Sequence, residues 1–198
     1  MKFQDYRTLF QVACLSFVLL AASPALSQVV SFPRGGERFS ELWLLGSNHM
    51  AEDYPFNVRA GEDYSLFLGV GNHLGCSAYY LVYAKFRNQS QSLPNASSSG
   101  PSSLSSVYEF RFLVADGDVS ETLVTFKILE ASVQGNAVVV ESVSVNDRAF
   151  QVGCSSTWDS DNNGFYFQLF FELWLYNTTG LTFQFHDRFV GIWLNMTG

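Results

Sequence analysis

Asp159-Ser160-Asp161-Asn162-Asn163-Gly164 places oxygen-bearing side chains at alternate positions ahead of a glycine. This is the opening half of a calcium loop, since a hard cation needs six or more oxygens and glycine permits the sharp turn. The twelfth position is Phe170 rather than a bidentate glutamate, and a strand pattern rather than a helical one follows. Asp159, Asp161 and Asn163 therefore read first as a polar turn, with calcium the one cofactor the sequence suggests. His49, Glu52, Asp53 and His73 form a second conceivable ligand set across two loops, as a metal-dependent hydrolase would need, but no His-Glu-x-x-His spacing fixes them. Gly153-Cys154-Ser155 is not a nucleophile elbow. Glu172 stands among aromatic residues without a second carboxylate to share acid and base roles. No catalytic residue emerges, and the expectation is a protein that is not an enzyme.

The stretch that carries most information follows that turn. From Phe165, the residues Phe167, Leu169, Phe171, Leu173 and Leu175 alternate without a break, as a strand with one buried face requires. The opposite parity reads Tyr166, Gln168, Phe170, Glu172, Trp174, Tyr176. The aromatic content, with Gly164 and Asn177-Thr178-Thr179-Gly180 at the two ends, favours a strand over a helix. Tyr166, Phe170, Trp174 and Tyr176 could offer a stacking platform to sugar faces; the competing reading, burial of both faces of a central strand, is the preferred one.

The elements around this strand belong to an exported chain. Lys2 and Arg7 precede an almost unbroken apolar run from Leu9 to Ala22, and Ala25-Leu26-Ser27 supplies a signal-peptidase pattern. The run is shorter than the roughly 20 residues that span a bilayer, so residues 1–27 read as a signal peptide, with an uncleaved anchor as the alternative. Residues 28–198 then form one domain placed outside the cytoplasm, secreted or on the outer face of the cell membrane. The full chain has 198 residues and a net charge of −7; losing Lys2, Arg7 and Asp5 leaves the mature part near −8. An acidic surface excludes nucleic acid as a partner, because phosphate neutralisation needs clustered lysine and arginine.

Cys14 lies in the signal segment, which leaves Cys76 and Cys154 as an even pair in an oxidising compartment. One disulfide is the expectation, with two separate buried thiols as the alternative. Asn88, Asn95, Asn177 and Asn195 each open an Asn-x-Ser/Thr sequon, as a surface glycoprotein would show.

Strand patterns recur at short spacing over residues 40–46, 62–72, 78–87, 108–114, 122–128 and 137–145, then in the Phe165–Asn177 stretch, and again around Phe183/Phe185 and Val190/Ile192/Leu194. Within residues 62–72, Gly69 and Gly71 leave one face open. Residues 88–106, rich in serine with Pro94, Gly100 and Pro101, read as a mobile loop within a single domain. Eight or nine strands and no convincing amphipathic helix in the mature part predict an all-β fold, an antiparallel β-sandwich.

Leu42-Trp43-Leu44-Leu45-Gly46, Ala51-Glu52-Asp53-Tyr54-Pro55 and Gly69-Val70-Gly71-Asn72-His73 resemble the domain-of-unknown-function family numbered 1616, as do Phe171–Asn177 and Gly191–Thr197. The resemblance implies an Ig-like extracytoplasmic β-domain, in a mainly archaeal family where it often follows several membrane helices. Those helices have no counterpart here beyond the signal-like segment, so contact with a membrane would run only through an uncleaved N-terminus. The family implies no reaction. The resulting expectation is a non-catalytic cell-surface module that binds an envelope polymer or a surface protein. Its alternative is self-assembly by strand addition, in which Gln28 to Phe32 pairs with a neighbour's sheet edge.

Overall fold

The computed structural model describes residues 6–7, 10–17, 37–94 and 100–197. The chain divides into two units, Met1–Arg38 and Phe39–Gly198. In the first, residues 10–17 are helical, within the apolar run of the signal-like segment. Among the described residues no helix is long and apolar enough to cross a membrane. The arm at residues 28–36 lies outside the described residues.

The second unit is a sandwich of two five-stranded sheets, with ten strands in chain order: β1 (Phe39–Leu45), β2 (Asn57–Val58), β3 (Tyr64–His73), β4 (Ala78–Asn88), β5 (Ser106–Val114), β6 (Val119–Gln134), β7 (Ala137–Val145), β8 (Arg148–Thr157), β9 (Tyr166–Asn177) and β10 (Thr182–Met196). One sheet has the order β1-β3-β6-β7-β8, the other β2-β10-β9-β4-β5. All pairings are antiparallel except the short parallel contact of β2 with β10. The all-β, Ig-like sandwich predicted from the sequence is the architecture observed.

β9, the aromatic strand, is the middle strand of its sheet. Phe167, Leu169, Phe171 and Leu173 point into the core, against residues such as Leu66, Leu68, Val124 and Ile128 of the facing sheet. Burying each such side chain contributes roughly 1.5–3 kcal/mol towards holding the sheets together. The outward parity of β9 is covered as well over its first half, where Phe170 and Glu172 are fully buried. The cover is the serine-rich segment. Ser102 donates its backbone N–H to Glu172 Oε1 at 2.8 Å, and its carbonyl accepts from Lys85 Nζ at 2.7 Å. Within residues 88–106, Ser102 is thus fastened to the sheet.

Three strand expectations need correction. β8 has no clear alternating signal because it is an edge strand with a largely exposed face and a register shift against β7. β2 is two residues long and exists only through its bonds to β10. Phe183/Phe185 and Val190/Ile192/Leu194 belong to one strand, β10, interrupted by a register shift between Phe185 and Arg188, with Asp187 at φ 50°. That bulge brings His186 Nε2 to 3.0 Å from Ser40 Oγ on β1. The face left free by Gly69 and Gly71 is filled: Trp43 is the cross-strand partner of Gly69, and a Cβ there would strike its indole ring.

The expected disulfide does not form: Cys76 and Cys154 are both free thiols. Cys76 precedes the start of β4 at Ala78. Cys154 sits by the other end of that strand, where Asn88 Nδ2 donates to the Ser155 carbonyl and the Cys154 thiol lies 3.6 Å from Gln91 Oε1. An 11-residue strand separates the two, roughly 30 Å at 3.3 Å per residue. A disulfide needs Cα atoms within about 7 Å. The alternative of separate thiols holds, although only Cys154 is buried.

Candidate ligand-binding cleft

At the end of the second sheet where β4 finishes and β9 begins, Phe56, Gln89, Asn162, Tyr166 and Trp193 line a hollow of about 320 Å³. Each wall has a local cause. Trp193 lies out of phase with the core residues Ile192 and Leu194 on β10, so its side chain projects outward and is 39% exposed. In register it faces Gln168 of β9, which in turn faces Arg87 of β4. Arg87 Nε donates to Gln168 Oε1 at 2.6 Å, its Nη1 donates to the Gln91 carbonyl, and the guanidinium lies 5.1 Å from the centroid of the Trp193 ring. Burial lowers the pKa of Arg87 from its usual value.

Phe56 is held at the opposite wall by β2. The Asn195 N–H donates to the Phe56 carbonyl at 2.6 Å, and Thr197 N–H donates to Val58 O at 3.0 Å. The Phe56 and Tyr166 ring centroids are 6.0 Å apart. Tyr166 forms the floor and donates its hydroxyl to the Asn162 carbonyl at 2.6 Å.

The polar wall is built on Asp159. Its Oδ1 accepts the backbone N–H groups of Asp161 at 3.0 Å and Asn162 at 3.1 Å. Its Oδ2 accepts Asn162 Nδ2 at 2.9 Å and Gln89 Nε2 at 3.0 Å. These donors, the Asn162 side chain foremost and then Gln89, draw the Asp159 pKa down to about 2. The same bonds fix the two amide planes at the rim. Asp159 and Gly164 close the segment by a mutual bridge, and Asn163 takes φ 55°. Asp159, Asp161 and Asn163 accordingly sit in a tight turn in which the Asp159 carboxylate oxygens already receive N–H donors.

The other sequence-derived candidates do not converge. His49 stacks on Phe67 and reaches Glu121 at 2.7 Å, whereas His73 stacks on Phe39 and lies 3.7 Å from Glu41. Phe67 and His73 are six residues apart along β3, about 20 Å, so His49 and His73 cannot share a metal. Among the described residues no group of three His, Cys, Asp or Glu side chains is placed to hold one.

Of the four aromatic residues on the outward parity of β9, only Tyr166 lines the hollow. Phe170 is buried, and Trp174 and Tyr176 are half-buried within an aromatic cluster formed with Tyr79, Tyr83, Phe183 and Phe185. Glu172 is locked by Lys85 Nζ at 2.8 Å and by Trp174 Nε1 at 3.3 Å.

The sequons differ in their surroundings. Asn195 is buried, donating to Asn57 Oδ1 and accepting from the Phe165 N–H. One hydrogen of the nitrogen that would carry a glycan is used in that packing. Asn88 donates to the Ser155 carbonyl, Asn177 lies in the β9–β10 turn, and Asn95 falls outside the described residues.

Phe56, Gln89, Asn162 and Trp193 were not singled out by the sequence. Trp193 carried one usable signal, a tryptophan on the wrong parity of an otherwise apolar strand. Phe56 carried none, because its place depends on a two-residue strand.

The fold is a β-sandwich with an open cleft lined by aromatic and amide side chains at one end of a sheet. The chain belongs to the DUF1616 family of domains of unknown function, whose profile matches residues 33–140. That match contains the segments at residues 42–46, 51–55 and 69–73, while those at 171–177 and 191–197 lie beyond it. No curated protein sequence matches the chain. Solved structures similar to it include the β-glucosidase of Listeria innocua in complex with glucose (TM-score 0.37, 8% identity, 82% of this chain and 17% of that one) and with gluconolactone (TM-score 0.38, 9% identity, 82% and 17%). The chain thus spans about a sixth of those enzymes, and a likeness at this level carries no argument about activity.

Proposed function

We propose that the chain is an exported, non-catalytic cell-surface module that recognises a cell-envelope polymer through the cleft of Phe56, Tyr166 and Trp193. The observation that carries this reading is the joining of three aromatic rings to two amide side chains, Gln89 and Asn162, whose N–H groups are pinned on Asp159. Rigid aromatic surface with a few fixed polar groups is what a recognition site needs, since little is then lost to ordering on binding. The signal-like segment supports placement outside the cytoplasm. The non-catalytic reading is supported by the acids nearest the aromatic strand: Asp159 is saturated with N–H donors and Glu172 is buried against Lys85.

The test is cosedimentation of the exported protein with the isolated cell-envelope fraction. The wild-type protein should pellet with the envelope, and a Phe56→Ala/Trp193→Ala variant with unchanged circular dichroism should remain in solution. A wild-type protein that stays in the supernatant would overturn the proposal.

Assembly by strand addition has one observation of its own. β5 ends a sheet, and its Leu113 is 76% exposed. Light scattering that shows a monomer at every concentration would remove that reading.

A further inference from the structure

We infer that the unit taken by the cleft is a neutral hexopyranose of a glycan, laid against the free face of Trp193; this rests on the recognition reading above. Arg87 occupies one side of the indole, is itself buried, and is tied to Gln168 and Gln91, so the ring has a fixed backing and is not free to rotate inward. What Trp193 shows to the hollow is a flat apolar surface of fixed orientation. A pyranose ring presents a matching flat face of C–H groups, with its hydroxyls around the edge. Those hydroxyls meet Gln89 and Asn162, planar amides that are each held by an N–H to Asp159. An amide can both donate to and accept from a hydroxyl, and its fixed plane sets the direction of the bond.

The same geometry argues against other occupants. An apolar peptide side chain would cover the rings but offer nothing to the second N–H and the carbonyl oxygen of each rim amide once water is displaced. An acidic sugar bonded to Gln89 and Asn162 would bring its carboxylate towards Asp159, to which both amides are tied, and like charges repel. A neutral sugar satisfies both walls. The volume of about 320 Å³ lies at the small end of the roughly 300–1,000 Å³ typical of ligand clefts, which suits a terminal or single internal ring of a longer chain.

The experiment is a titration of the full exported chain with cellotetraose, mannotetraose, chitotetraose and a glucuronic-acid oligomer, followed by NMR of the Trp193 indole N–H and the side-chain amides of Gln89 and Asn162. At least one neutral oligosaccharide should shift all three signals with a millimolar or tighter Kd, and the uronic oligomer should bind at least about tenfold more weakly. Trp193→Ala should abolish the shifts at Gln89 and Asn162, whereas Trp174→Phe should leave them in place. N-acetyltryptophanamide serves as an apolar aromatic control. If it moves the three signals and no neutral sugar does, the glycan assignment is wrong while the cleft remains a binding site. If nothing moves them and the envelope fraction fails to pellet the protein, both readings fall. Equal binding of the uronic and neutral oligomers would overturn the selectivity for neutral rings.

Discussion

The Arg87 guanidinium lies 5.1 Å from the centroid of the Trp193 ring, and this pair joins the buried polar row of the second sheet to its exposed cleft. Arg87 has two tasks. It satisfies Gln168, which is buried in the sheet, and it stiffens the tryptophan that faces solvent. Replacing Arg87 by Met keeps the length of the side chain but strands the Gln168 oxygen, a loss of about 1–3 kcal/mol. The stacked cation adds roughly 0.5–2 kcal/mol more. Urea unfolding should show a lower midpoint at an unchanged slope. Arg87→Lys should not restore the midpoint, because an ammonium cannot meet Gln168 and the Gln91 carbonyl in the same fork geometry.

Lys85 and Glu172 form an ion pair that is closed to solvent by Ser102. Removing one partner leaves an uncompensated charge in the interior, so Lys85→Met or Glu172→Gln alone should cost about 3–5 kcal/mol. The double variant should recover most of that, since glutamine still accepts from the Ser102 N–H and no lone charge remains. A double-mutant cycle by chemical denaturation reads the coupling directly. Additive losses would show that the pair does not act as a unit.

His186 joins β10 to β1 through Ser40, whose hydroxyl in turn lies 2.7 Å from Tyr80 Oη. Burial, then the neighbouring Arg188, lowers the His186 pKa from its usual value, while Asp187 opposes the shift. The unfolded chain therefore takes up the proton first as pH falls. Stability should be full above the ordinary histidine value near 6.5 and decline as pH drops from there toward the lower folded value. His186→Gln should flatten this slope between about pH 6.5 and the folded pKa. An unchanged slope in that variant would place the pH dependence elsewhere.

The two cysteines of the sandwich should behave as separate thiols. Cys76 is exposed, whereas Cys154 is buried with its pKa pushed up to about 11 by desolvation. A thiol reagent at neutral pH should label Cys76 in the native protein and Cys154 only after unfolding. Reducing agent should leave the Tm unchanged. A Tm that falls on reduction would reveal a cross-link that this arrangement does not allow.

Strand β9 was legible because its signal is local: Phe165 to Leu175 alternate in the chain itself, and the aromatic opposite parity agrees with a central strand buried on both faces, as Tyr166 to Leu173 are. The separation of Cys76 from Cys154 was not legible, because an even number of cysteines says nothing about which end of a strand each occupies. Nor does the composition of the serine-rich segment reveal that the backbone of Ser102 would find Lys85 and Glu172. The cleft is the least legible feature. It gathers Phe56 from a loop, Gln89 from the end of β4, Asn162 from a turn and Trp193 from β10, and only tertiary structure brings these together. Asp159 was visible as a candidate cation ligand, yet its observed partners are N–H groups.

The most direct test sets Trp193→Ala beside Trp174→Ala in envelope cosedimentation. Trp193 faces the cleft, while Trp174 is pinned to Glu172 in the aromatic cluster beyond it. Trp193→Ala should weaken binding by about tenfold or more, some 1.4 kcal/mol, with the fold intact, and Trp174→Ala should bind as the wild-type protein does once corrected for its folded fraction. Loss of binding in Trp174→Ala with full binding in Trp193→Ala would contradict the account and move the recognition surface to the outer face of β9.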